Sequence, residues 1–202
     1  MEKSINIALD IETLSTRPTA AIISIAAKAF SFTSDAKLTK TDFYQLVDAS
    51  SCAMYGMHFD SQTVDWWSRR DKVIRSPYLQ SAGNCINDVL LHLEKWINAV
   101  RAMSPDNTIH VWMQGTDFDA AILRNAYCVV FGDDSKMPWR HFELRDSRTF
   151  INAVIGAIMP ELVNPYDAIP KNPSWAPHDV MSDVDNLIWN VKHVFQMINP
   201  HK

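Results

Sequence analysis

Short apolar runs and longer helical periodicities alternate along the chain. Ile5 to Leu9 reads as a buried strand that ends at Asp10. Residues 13–19 form a turn-rich loop, and Ala20 to Phe32, rich in Ile, Ala and Phe, predicts a second strand. After a polar turn at 34–41, Phe43 to Val47 predicts a third, and the three are most simply an antiparallel meander. From Asp60 the period changes to that of a helix carrying Trp66 and Trp67. From about Ala82 to Val100, the residues Ile86, Val89, Leu90, Leu93 and Ile97 recur at helical spacing. Ile109 to Met113 predicts a fourth strand, Asp117 to Val130 a helix, Phe142 to Leu144 a short fifth strand and Asp146 to Ile158 another helix. Five prolines between 160 and 177 make that stretch a loop. Asp179 to Met197 predicts the last helix, with Leu187, Ile188, Val191, Val194 and Phe195 on one face. Strands first, then alternating helix and strand, imply an α/β fold with a mixed sheet flanked by helices.

At 202 residues, with no repeat and no linker, the chain reads as a single domain over 1–202. Hydrophobic residues at 47% and charged residues at 21% are ordinary for a soluble globular protein. A net charge of −4 argues against a nonspecific nucleic-acid coat. It argues less against a catalytic site on nucleic acid, because clustered carboxylates bias the count and bound cations reverse their local field. Cys52, Cys85 and Cys128 are widely spaced and form no CxxC pair, which suits reduced thiols in a cytoplasmic protein. No stretch approaches the ~20 apolar residues of a membrane helix, so no membrane partner is expected. The pattern specifies no oligomeric state.

Three acidic clusters carry the candidate chemistry. The first is Asp10-Ile11-Glu12, the second Asp117-Phe118-Asp119, and the third His178 with Asp183 five residues on. Asp10 and Glu12 alternate along a strand, so both can face one side, where burial is costly without a cation. Alternatively the strand has already ended and both are solvated. Asp119 near a helix start is either a ligand or a cap favoured by the helix dipole. Asp183 could face a metal with His178 beside a water, or the two are a loop histidine and a surface carboxylate; Asp179 and Asp185 compete for the same role. Jointly the clusters suit two divalent cations about 3.5–4 Å apart, held by shared carboxylates, with a histidine to deprotonate the attacking water.

In this order and context the chain resembles the DEDDh 3′–5′ exonucleases of the ribonuclease-H-like fold, over roughly residues 5–195. Asp10-Ile11-Glu12 matches the family's D-x-E after a strand, Phe118-Asp119 its second motif, and His178 with Asp183 its H-x4-D. The likeness is greatest to phage and prophage exonucleases of the exodeoxyribonuclease VIII-like type and to related exoribonucleases. It rests on Asp10-Ile11-Glu12-Thr13-Leu14, Ala20 to Ile25, Thr63 to Trp67, Phe118 to Leu123 and Arg145 to Thr149. The chain departs from the pattern at Ser15-Thr16-Arg17-Pro18, where many relatives place a glycine, and at Gln114, where relatives often carry Asn.

The resemblance implies a three-stranded antiparallel meander joined to parallel strands. It implies that Asp10, Glu12, Asp119 and Asp183 hold two Mg²⁺ or Mn²⁺ ions and that His178 is the general base. It further implies hydrolysis from a free 3′ end of nucleic acid, with DNA placed ahead of RNA although the motifs do not report the 2′ hydroxyl. The Thr13 amide would meet the 3′ hydroxyl and Leu14 would wedge against the last base.

Other substrate contacts are candidates. Trp66 and Trp67 point about 100° apart on a helix, so one is core and the other could stack on a base, or both are core. Arg69, Arg70, Lys72 and Arg75 form either a solvated face or a phosphate track. Arg148, which with Arg145 flanks Asp146, is a substrate contact or part of a salt-bridged helix start. Two rivals are weaker. A catalytically dead, nucleic-acid-binding copy would be expected to have lost a motif residue, and a small-molecule metallohydrolase would need an HExxH or zinc-type cluster that this sequence lacks.

Overall fold

The computed structural model describes residues 4–70 and 83–200. Five strands form one mixed sheet: β1 (Ile5–Thr13), β2 (Ile22–Phe30), β3 (Phe43–Leu46), β4 (Ile109–Met113) and β5 (Leu144–Asp146), in the order β3-β2-β1-β4-β5. β1, β2 and β3 pair antiparallel, and β4 and β5 add parallel beyond β1. The six helices among the described residues are α1 (Ala49–Met54), α2 (Ser61–Ser68), α3 (Ile86–Ala102), α4 (Asp119–Phe131), α5 (Ser147–Ile158) and α6 (Val180–Ile198).

Alternation along the strands divides the core. Ile7, Leu9, Ile11, Ile23 and Ile25 pack with the apolar faces of α3 and α4, including Val89, Leu93, Ile122 and Leu123. Ala8, Ala26, Phe30 and Trp112 point the other way, against Val180, Val184, Leu187 and Val191 of α6. Small side chains at Ala8 and Ala26 let α6 approach the middle of the sheet, which brings its first turn to the end of β1. A second small core joins α5 to α6 through Ile151, Ile155 and Val194.

The strands expected from sequence are present, β4 with the expected ends and the others with shifted ones. β1 does not stop at Asp10; it continues through Glu12, which pairs with Ser24 on β2, and a bulge follows between Glu12 and Thr13. The fifth strand lies at Leu144–Asp146 because a 3₁₀ turn occupies His141–Glu143. The proline-rich loop contains another such turn at Pro165–Ala168, and α1 was not anticipated. The expected helix start at Ala82 lies outside the described residues. Helix starts follow capping chemistry: Asp60, Asp146 and Asp179 accept from the backbone N–H of Thr63, Thr149 and Ser182. Gly132, at φ 90°, ends α4. Cys52, Cys85 and Cys128 are free thiols. Among the described residues no helix is long and apolar enough to cross a membrane.

Candidate active site

The continuation of β1 decides the geometry of the first cluster. Asp10 and Glu12 are still in strand, so both carboxylates share the face that carries Ala8 and meets α6. Asp119 enters from the first residue of α4 and Asp183 from the first turn of α6. His178 lies on the loop just before α6. All five line one cleft of about 360 Å³, together with Gln114, Phe118, Trp175 and Asn186. Ligand atoms of Glu12, His178 and Asp183 lie within 4.8 Å of one another.

The alternatives for each acidic residue now separate. Asp119 is not a cap: Phe118 holds that position without a side-chain bond, and Asp119 is 4% exposed. Asp179 is a cap, accepting from Ser182 N–H at 2.9 Å. Asp185 is bound by Lys28 at 2.6 Å. Asp183 belongs to the cleft, where the indole Nε1 of Trp175 donates to its Oδ1 at 2.7 Å and the backbone N–H of His178 donates to its Oδ2 at 2.8 Å.

The electrostatics are those of a site short of positive charge. Burial, then the charges of Asp119, Glu12 and Asp183, raise the Asp10 carboxyl well above the usual range. Burial, then Asp183, Asp119 and Asp179, push Glu12 up to about 8 against the opposing pull of Arg70. Burial also raises Asp119 and Asp183. Like-charged carboxylates held this close disfavour their common ionisation. A set of carboxylate oxygens with one histidine beside them is chemically suited to a divalent cation. His178 is half-buried at φ 67°, in the left-handed region. Burial, then Arg70, lowers its pKa, with Asp183 opposing.

The expected substrate residues divide. Thr13 and Leu14 are 7% and 5% exposed and are not part of the cleft lining. The Thr13 hydroxyl donates to Ser15 O at 2.7 Å, its carbonyl accepts from Trp67 Nε1 at 3.0 Å, and Leu14 packs into the core. The wedge expected of Leu14 is therefore not formed here, because its side chain is used for packing. Trp67 is core at 1% exposure and Trp66 is the outer ring at 38%. Arg70 lies over the Trp66 ring at 3.7 Å, while Arg69 pairs with Asp65. Lys72 and Arg75 lie outside the described residues. Arg148 is exposed, beside Gly115, and its charge reaches Asp119. Asp146 accepts from the N–H groups of Thr116 and Thr149, while Arg145 donates to the Phe142 and Leu144 carbonyls, so the helix start is capped rather than salt-bridged. Sequence reasoning missed Trp175; its signal was a tryptophan in the proline-rich loop three residues before His178.

A family model described as the 3′–5′ exoribonuclease Rv2179c-like domain matches residues 5–194. The chain belongs to that family. No curated protein matches it significantly. Among solved structures, E. coli exonuclease I in complex with a dT13 oligonucleotide is similar at a TM-score of 0.66 and 17% identity, over 98% of this chain and 42% of that one. The zinc-ion-bound E. coli exonuclease I–single-stranded DNA complex gives 0.66 and 15% over 99% and 42%, and the complex with a dA16 oligonucleotide 0.62 and 15% over 98% and 43%. The chain thus spans less than half the length of these neighbours and shares their fold. The mixed sheet flanked by helices, expected from sequence, is the fold observed.

Proposed function

We propose that this domain is a 3′–5′ exonuclease that hydrolyses the terminal phosphodiester bond of a nucleic acid with two bound divalent cations. The observation that supports it is the convergence of Asp10, Glu12, Asp119, Asp183 and His178 on one cleft from three separate parts of the chain. The raised carboxyl pKa values support the same reading, since carboxylates crowded in this way gain most from a cation. Asp10, Glu12, Asp119 and Asp183 would hold Mg²⁺ or Mn²⁺. Such ions, when bound, acidify a water and stabilise the leaving oxygen. His178 takes the proton of the attacking water, and burial, which lowers its pKa, favours the neutral form a base requires. Arg148, whose charge reaches Asp119, is a candidate contact to the substrate strand, whereas Trp66 packs against the His178 ring.

The sugar is the finer question. The family description names RNA, which supports an exoribonuclease; the exonuclease I neighbours hold DNA, which keeps the DNA reading expected from sequence as the second. The closeness to exodeoxyribonuclease VIII-like enzymes belongs with that second reading. One experiment tests polarity and sugar together. Matched 3′-labelled and 5′-labelled RNA and DNA oligomers, incubated with Mg²⁺ or Mn²⁺, should lose mononucleotides from the 3′ end, RNA faster. Cleavage of a circular single strand, which has no end, would overturn the exonuclease reading.

A further inference from the structure

Trp175 combines three features that rarely coincide. Its ring is 47% exposed, yet it lines the same cleft as the four carboxylates. Its indole N–H is spent on a cleft residue, donating to Asp183 Oδ1 at 2.7 Å. Its backbone is also tied down: Trp175 N–H donates to Asn172 O at 3.3 Å, and the neighbouring Ala176 N–H donates to Ser182 Oγ at 2.8 Å on the first turn of α6. A large apolar ring left half in water on a flexible loop would be unremarkable. A ring fixed at both backbone and indole nitrogen has already lost most of the freedom it would surrender on binding, which is what a recognition surface needs.

The tie to Asp183 also bears on the metal site. Both oxygens of that carboxylate receive a donor, one from Trp175 and one from the His178 backbone, so its orientation is fixed by the loop before α6. Hydrogen bonds to ligating carboxylates orient them, and their loss typically weakens metal affinity or activity roughly 10–100-fold.

We infer that Trp175 is both the stacking surface for the base of the 3′-terminal nucleotide and the positioning residue for Asp183. The inference rests on the exonuclease reading above. The ring begins one hydrogen bond away from a proposed metal ligand, so the nucleotide next to the scissile bond is the one within its reach. Every base has a π-face, so such a contact tolerates all four but requires the terminal base to be unpaired. The domain should therefore favour frayed or single-stranded 3′ ends over blunt duplex ends.

Two variants separate the roles. Trp175→Phe keeps an aromatic face and removes the N–H; Trp175→Ala removes both. Mn²⁺ binding is measured by calorimetry without nucleic acid, and kcat and KM on oligonucleotides ending in a normal or an abasic 3′ nucleotide. Both variants should bind Mn²⁺ roughly 10–100-fold more weakly. At saturating Mn²⁺, Trp175→Ala should raise KM roughly 5–150-fold on the normal end, and Trp175→Phe should keep it near wild type. On the abasic end the three proteins should share one KM. Wild-type Mn²⁺ affinity in Trp175→Phe, or wild-type KM in Trp175→Ala, would overturn the inference. A wild-type protein that binds Mn²⁺ and releases no mononucleotide from any 3′ end would instead overturn the exonuclease reading beneath it.

Discussion

Trp66 meets the imidazole of His178 edge to face, with ring centroids 4.8 Å apart, while Arg70 covers the indole at 3.7 Å. The outer tryptophan of the pair thus has one partner at the proposed base and another on its face. Its own neighbour Trp67 sets it from below, edge on at 5.1 Å, and is anchored through Nε1 to the Thr13 carbonyl. That chain of contacts runs from the end of β1 to His178. A brace of this kind acts on kcat, whereas a stacking platform for substrate acts on KM. Trp66→Ala should lower kcat roughly ten- to a hundredfold, the scale of a small misplacement of a catalytic group. Trp66→Phe should recover most of it. A change confined to KM would return Trp66 to the role of base platform expected from sequence.

The carboxylate cluster predicts an unusual pH dependence for protein stripped of cations with EDTA. The folded pKa of Glu12, about 8, lies above its ordinary 4.5, so unfolding releases a proton between these values. The stabilisation this protonation gives is complete below about 4.5 and is lost as pH rises toward 8. Stripped protein should therefore melt at a lower temperature at pH 8 than at pH 5. Glu12→Gln should raise the melting temperature at pH 8 by on the order of 2–6 °C, and change it little at pH 4. Mg²⁺ or Mn²⁺ should stabilise the wild type at pH 8 and stabilise the variant less. A melting temperature of the stripped protein that rose from pH 5 to 8 would contradict the cluster.

EDTA should abolish cleavage, and added Mg²⁺ or Mn²⁺ should restore it. Asp119→Ala and Asp183→Ala should each remove nearly all activity with the fold retained, checked by circular dichroism. Near wild-type turnover in Asp119→Ala would remove that residue from the ligand set.

Much of this was legible in the chain, for local reasons. β4 appeared with the expected ends, Ile109 and Met113, because a short apolar run between breakers has one good solution. That Asp10, Glu12, Asp119, His178 and Asp183 could share one cleft was legible because each sits at or near the start or end of an element. What was hidden depends on distant pairing. That Asp10 and Glu12 are still in strand is decided by partners Ala26 and Ser24, not by their own propensities. Leu14 is buried because the core extends under the loop that follows β1, and a six-residue helix such as α1 carries too little periodicity to announce itself. Arg70 over Trp66, and Trp175 on Asp183, are side-chain choices that no spacing encodes.

A buried ion pair holds the far edge of the sheet. Glu143 is fully buried and is gripped by both guanidinium nitrogens of Arg101 and by the Arg140 backbone N–H at 2.8 Å. Burial alone would raise its pKa, but these donors lower it below the ordinary 4.5. Glu143→Ala leaves the half-buried Arg101 with only the Pro138 carbonyl, at 2.7 Å, as a partner, and should cost up to about 3–5 kcal/mol. Urea denaturation at pH 7 should show that loss. The wild type should also lose stability as pH falls below about 4.5, since protonating Glu143 weakens the pair.

His178 and Asp179 are adjacent and should fail in opposite ways. His178 holds a left-handed backbone at φ 67°, and its ring meets Trp66 at the cleft. Asparagine tolerates that backbone better than alanine does, so His178→Asn removes the imidazole with the least disturbance of the turn. General-base assistance contributes roughly 10²–10⁴-fold, and His178→Asn should lose rate on that scale while its melting temperature stays near wild type. Its backbone N–H would still donate to Asp183, so Mn²⁺ binding should survive. Asp179 instead caps α6 through Ser182 N–H at 2.9 Å. Asp179→Ala should cost about 0.5–2 kcal/mol of stability and leave turnover within a few-fold. Turnover lost equally in both variants, or Mn²⁺ binding abolished in His178→Asn, would assign His178 to holding the site together rather than to taking the proton.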